Sequence, residues 1–106
     1  MNAVDYRKPT IMASVRRLKK DIVELTAQLI GDCIDYVEYF DNADEEKAIA
    51  IISDAVKMHN DAIDRANHPD GKDNPKLVKA HYNKLQEDFV KGIDDAYAGL
   101  EKLVKE

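Results

Sequence analysis

Ile11, Val15, Leu18, Ile22, Leu25 and Leu29 follow one another at alternating steps of four and three residues. That spacing lays one apolar seam along a helix, because about 3.6 residues complete a turn. The seam resumes at Cys33, Tyr36 and Phe40, although the step from Leu29 to Cys33 is a second consecutive four. A stutter of this kind relaxes a supercoil locally. It coincides with Gly31 and Asp32, which leaves two readings: a break with Asp32 as a new N-cap, or one helix over residues 9–40. The continuous helix is the expectation, since a lone Gly costs only ~1 kcal/mol and the periodicity survives it.

Asp41-Asn42 then marks a turn, and Asn42 followed by Glu45 has the form of an N-cap with its capping box. Asp44, Glu45 and Glu46 crowd the next turn, where negative charge complements the helix dipole. The pattern predicts a second helix over 43–67, with Ile49, Ile52, Val56 and Ile63 on one side and Ile51 and Met58 on the other. Between these stripes runs a line of alanines, Ala48, Ala55, Ala62 and Ala66. A small-residue ridge flanked by bulky rows suits a helix wedged closely against two neighbours. His68-Pro69-Asp70-Gly71 ends it, because Pro disfavours helix in the residue before it and Asp-Gly favours a turn.

Asn74-Pro75 opens a third helix predicted over 75–104, with Asn as N-cap and Pro in the first helical position. Its apolar face is Val78, Tyr82, Leu85, Phe89, Ile93, Ala96, Leu100 and Leu103. Gly92, Ala96 and Gly99 line one edge and admit close approach of another helix. Short connections force antiparallel neighbours. The sequence therefore predicts an all-α fold, an up-down-up antiparallel three-helix bundle forming one domain over residues 1–106.

Composition changes this picture little: no Trp and 7% aromatic residues leave the core to Ile, Val, Leu and Ala. One cysteine excludes an internal disulfide framework of the sort small secreted domains use. The polar start is followed by no apolar run of signal length, and no stretch approaches the ~20 apolar residues that span a bilayer. The expectation is a cytoplasmic protein with no membrane partner.

Charge changes it more. Residues 1–20 carry six cations against Asp5, a balance of +5, whereas residues 21–59 carry ten acids against Lys47 and Lys57, a balance of −8. An up-down-up fold gathers the start of the first helix, the end of the second and the start of the third at one pole. Arg7, Lys8, Arg16, Arg17, Lys19, Lys20, Arg65, Lys72, Lys76 and Lys79 would meet there. Asp32, Asp35, Glu38, Asp41, Asp44, Glu45 and Glu46 would gather at the other, with Asp94, Asp95 and Glu101 of the third helix. Arg16, Arg17, Lys19, Lys20, Lys72 and Lys76 are the candidate contacts for nucleic acid or another polyanion. A chain pI near 5.2 and sparse aromatic residues argue instead for ordinary solvated helix faces.

Candidate chemistry is thin. His59 and His81 fall near similar heights on antiparallel helices, which allows a metal or pH-sensitive pair. No carboxylate stands at an obvious ligand spacing from them, so ordinary hydrogen-bonded histidines are the simpler reading. Asp64 and His68 are four apart and make a surface pair. Cys33 on the apolar seam reads as an inert core thiol. Carboxylate-bridged metal bundles require Glu-x-x-His on facing helices, a spacing the chain lacks. No cofactor or metal is expected, and no catalytic constellation.

A last pattern concerns the surface. Val23, Ile30, Ile34 and Val37 form a second stripe beside the seam of the first helix. They serve either as extra core or as a self-association surface. The reading that follows is a small non-catalytic module for protein–protein interaction, with a protein partner or homodimer expected. The alternative is a small regulatory protein that contacts nucleic acid or another polyanion through its basic pole.

Overall fold

The computed structural model describes residues 11–69, 71 and 73–105, with side chains from residue 15 onward. It is all-α: α1 spans Ile11–Tyr39, α2 Glu45–Asn67 and α3 Pro75–Lys105. All three pairs of helices are in contact, and α1 with α2 most extensively. The three-helix bundle expected from the periodicity is the fold.

Helix α1 runs through Gly31 without a break. Asp32 is therefore not an N-cap, and its carboxylate instead accepts a 2.7 Å hydrogen bond from the Tyr97 hydroxyl on α3. The start of α2 also differs from expectation. Asp41 and Asn42 are used up in a turn closed by Ala43 N–H on Phe40 C=O at 3.1 Å. The cap is therefore Asp44, whose Oδ1 accepts from Lys47 N–H at 3.1 Å. Asn74 caps α3 as expected, accepting from Lys76 N–H at 3.0 Å and Leu77 N–H at 3.4 Å. Between α2 and α3 the chain turns through Gly71, which sits at φ +70° and pays no Cβ penalty there.

The core is a thin column. Ile22, Leu29, Leu85 and Cys33 are the largest of the described side chains sealed completely from water. Each large aliphatic residue so buried contributes roughly 1.5–3 kcal/mol. The alanine line Ala48, Ala55, Ala62 and Ala66 is buried along its whole length, as a wedged helix requires. Leu85, Phe89, Ile93, Leu100 and Leu103 are buried on α3, while Val78, Tyr82 and Ala96 are half-buried. Phe40, expected on the seam, lies just past the end of α1 and is exposed, its ring centroid 5.3 Å from that of Tyr36. The α-carbon radius of gyration is 16.0 Å, against ~13 Å for a compact domain of this length. The bundle is long and narrow.

Polar groups lock the ends of this column. Tyr36 Oη accepts from Asp44 N–H at 2.8 Å, pinning the start of α2 to α1. At the other end, α3 satisfies the terminal carbonyls of α2, which no further turn of helix would otherwise reach. His81 Nε2–H donates to Arg65 C=O at 2.7 Å, and the Tyr82 hydroxyl donates to Ala66 C=O at 2.7 Å. His68 N–H adds bonds to Asp64 and Arg65 C=O. The buried Thr26 hydroxyl donates back to Ile22 C=O at 2.7 Å.

Two predictions test this packing. A methyl group at Gly99 would lie 3.8 Å from Ile51 Cδ1, ordinary contact, whereas one at Gly92 would collide with Met58 Sδ. Gly99→Ala should therefore raise stability by about 0.5–1 kcal/mol through helix propensity, and Gly92→Ala should lower it. Chemical denaturation measures both, and a Gly92→Ala chain more stable than the parent rejects the close approach of α2 and α3.

Burial first, and the hydrogen bond and charge of Asp32 second, push the Tyr97 hydroxyl up to about 12. The folded state then holds a proton that the unfolded chain, with an ordinary tyrosine near 10, releases. That contribution is complete below pH ~10 and disappears as pH climbs toward 12. Tyr97→Phe should flatten this alkaline loss in denaturation curves taken from pH 9 to 12, and an unchanged slope would place the loss elsewhere.

Candidate interaction face

Helix α3 defines which side of each other helix remains open. On α2 it packs against Met58 through Gly92 and against Ile51 through Gly99. Arg65 of α2 pairs with Asp88 of α3 at 3.2 Å. Ile51, Met58 and Arg65 share one flank of α2, so the flank carrying Ile49, Ile52, Val56 and Ile63 points away from α3, toward α1. On α1, Asp32 faces α3 through Tyr97. At about 100° per residue, Val23, Ile30, Ile34 and Val37 lie across the core seam from Asp32, on the flank toward α2. The two aliphatic stripes therefore border the same α1–α2 seam, on the side of the bundle opposite α3.

The inner members of these stripes close the seam. Ile30, Val37, Ile52 and Ile63 are half-buried against the core. The outer members do not: Val23 is 49% exposed, Ile34 46%, Ile49 58% and Val56 42%. The self-association candidates thus divide, Ile30 and Val37 serving the core in part and Val23 and Ile34 standing in solvent. Ile49 and Val56 extend the same face on α2, a continuation visible only once the helices are placed side by side. The remaining exposed aliphatics are set apart: Leu77 near the start of α3, and Val90 and Val104 along it.

The basic candidates fare differently. Arg16, Arg17, Lys20 and Lys76 are exposed and Lys19 is half-buried, while Lys72, Arg7 and Lys8 lie outside the described residues. Arg65 is drawn into ion pairs with Asp88 and, at 4.0 Å, with Asp61. Lys84 and Arg65 together hold the Asp88 carboxyl below the usual carboxylate range. A shallow groove of about 470 Å³ at this pole is lined by Asp64, Arg65, His68, Leu77, Ala80, His81 and Lys84. Several of its polar groups are already engaged in the bonds that end α2.

His81 is turned onto the Arg65 carbonyl, and His59 Nδ1 lies 3.0 Å from Asn60 Oδ1. The Asp64–His68 surface pair is present, at 3.3 Å between Nδ1 and Oδ1. Among the described residues no group of three or more His, Cys, Asp or Glu could hold a metal ion. Cys33 is fully buried, and burial, followed by the nearby Asp32 charge, pushes its thiol up, away from the reactive thiolate. No described helix is long and apolar enough to cross a membrane. No family model, curated protein or solved structure matches this chain.

Proposed function

We propose that this chain is a non-catalytic helical module that binds a protein partner through the α1–α2 face. The observation that carries the proposal is the row of Val23, Ile34, Ile49 and Val56, each more than two-fifths exposed on one side of the bundle. A single exposed aliphatic residue is ordinary on a protein surface, whereas a contiguous row of them marks an interaction site. The interior polar groups support the non-catalytic part of the reading. The hydroxyls of Thr26, Tyr36, Tyr82 and Tyr97 each hold two parts of the backbone or two helices together.

Contact with nucleic acid is the weaker reading. Arg65 is committed to Asp88 and Asp61, and the cations of α1 share their helix rows with the aliphatic face. Arg16 stands one heptad before Val23, and Lys20 one heptad before Ala27. They flank an apolar surface and do not form a separate basic groove.

Site-specific photo-crosslinking in the cells that make the protein tests the proposal. A photoreactive side chain at Ile34 or Val56 should capture a protein, and the same group at Glu87 on the far side of α3 should not. Equal capture at all three positions, or none at Ile34 and Val56, rejects the face.

A further inference from the structure

The shape and charge of this face name the kind of partner it takes. Resting on the interaction reading above, we infer that the occupant is a single amphipathic helix of another protein, laid lengthwise between α1 and α2. It runs parallel to α2, basic at its N-terminal end and acidic at its C-terminal end.

Shape decides that the occupant is a helix. Two helices side by side leave a trough along each side of their seam, and α3, which touches both, fills one of them. The other trough is built in the same way. Ile30 and Val37 of α1 and Ile52 and Ile63 of α2 are half-buried and form its floor. The exposed Val23, Ile34, Ile49 and Val56 stand higher on its walls. Val23 to Val37 and Ile49 to Ile63 each cover 14 residue steps, so both walls run about 21 Å at ~1.5 Å per residue. That length suits about four turns of helix with one apolar stripe. The backbone groups of α1 and α2 are spent inside their own helices, so an extended segment laid here would bury N–H and C=O groups without partners. A helix satisfies its own, which is the usual way an apolar groove is filled. A second copy offers the same concave trough at this surface, and no ridge to fill it.

Charge sets the direction. At one end of the trough stand Arg16, seven residues before Val23, and Lys20, three before it. At the other stand Glu38, four residues after Ile34, and Glu45, four before Ile49. All four are exposed, and none forms an ion pair among the described residues. Carboxylates beside Arg16 and Lys20, and cations beside Glu38 and Glu45, supply their partners. The dipole of the occupant acts in the same sense: its positive N-terminus meets the two glutamates and its negative C-terminus the two cations. That direction is parallel to α2, whose first residue is Glu45. A helix charged in this order is weakened by its own dipole when free, and the charges of the trough relieve it.

A synthetic helix tests the inference against the whole chain. The probe is a fluorescein-labelled peptide of about 20 residues, with leucines at steps of three and four along one stripe, lysines in its first turn and glutamates in its last. Fluorescence anisotropy reads its binding. Ile34→Asp or Val56→Asp, each at an exposed position, should weaken it about tenfold or more. Val90→Asp, exposed on α3, should leave it within about twofold. A second peptide with lysines and glutamates exchanged is the better helix when free, yet it should bind the parent at least about threefold more weakly. Arg16→Glu combined with Lys20→Glu should reverse that preference. No binding at about 1 mM chain, or binding indifferent to both Ile34→Asp and Val56→Asp, overturns the helix as occupant. Equal affinity for the two peptides, or no reversal in the double variant, overturns its direction. A parent chain that sediments at twice its 12.0 kDa mass and becomes a monomer on Ile34→Asp, with its helicity intact, overturns the inference in favour of a second copy. Crosslinking that captures a protein at Ile34 and Val56 while the peptide fails removes the helix and leaves the face standing.

Discussion

The burial of the alanine ridge of α2 is the contact on which the rest of the structure depends. Ala48, Ala55, Ala62 and Ala66 are between 0% and 3% exposed, so α2 sits deep between its neighbours with no bulky residue at the centre of its contact. This closeness has an energetic consequence. An alanine brings only about one methyl group into the core, at ~0.8 kcal/mol per carbon. The large residues that complete the core must come from α1 and α3, and they do, through Ile22, Leu29 and Leu85. The bulky residues of α2 are displaced to its flanks. On the α3 flank Met58 and Ile51 find the gaps over Gly92 and Gly99. On the α1 flank there is no third helix, and half of the aliphatic row is left in water.

A narrow bundle of this kind has few buried side chains with which to set its register, and hydrogen bonds at its ends supplement them. Tyr36 holds the start of α2, and His81 with Tyr82 holds its last carbonyls. Tyr97 on Asp32 ties α3 to the last third of α1, across 65 residues of sequence. Each of these is a ring set against apolar neighbours whose polar tip must find a partner when dehydrated. A buried hydroxyl without one would cost about 1–3 kcal/mol, so each bond excludes alternative registers more strongly than its own modest net contribution suggests.

The periodic rows of Leu, Ile and Ala and the Asn74-Pro75 start were legible because they depend on local geometry alone. Gly31 was legible for the same reason, since one glycine does not stop a helix whose seam continues beyond it. The start of α2 was misread at Asn42 because two candidate caps, Asn42 and Asp44, stand two residues apart. Backbone closure between Phe40 and Ala43 decides between them, and no side-chain pattern encodes it. The polar ties of Asp32, His81 and Tyr82 were illegible for a different reason, as each depends on the relative heights of two helices. Sequence could show only that Tyr36 and Tyr82 lie on apolar faces and must find a partner. The exposed aliphatic face was half legible: α1 showed its stripe, but its continuation through Ile49 and Val56 needed the flanks of two helices to be placed on the same side.

The charge pattern gains meaning from the same placement. Opposite charges four residues apart on one helix stabilise that helix by only a few tenths of a kcal/mol, and α3 uses them in this way at Lys84–Asp88 and Lys91–Asp95. In the N-terminal half of α1, Arg17 and Asp21, and Lys20 and Glu24, repeat that opposite-sign spacing, while Arg16 and Lys20 stand four apart and alike in sign. Like charges at that spacing cost the isolated helix a similar amount. The like-charged pair therefore weakens α1 slightly, and its two cations border the exposed aliphatic residues on the α1–α2 side.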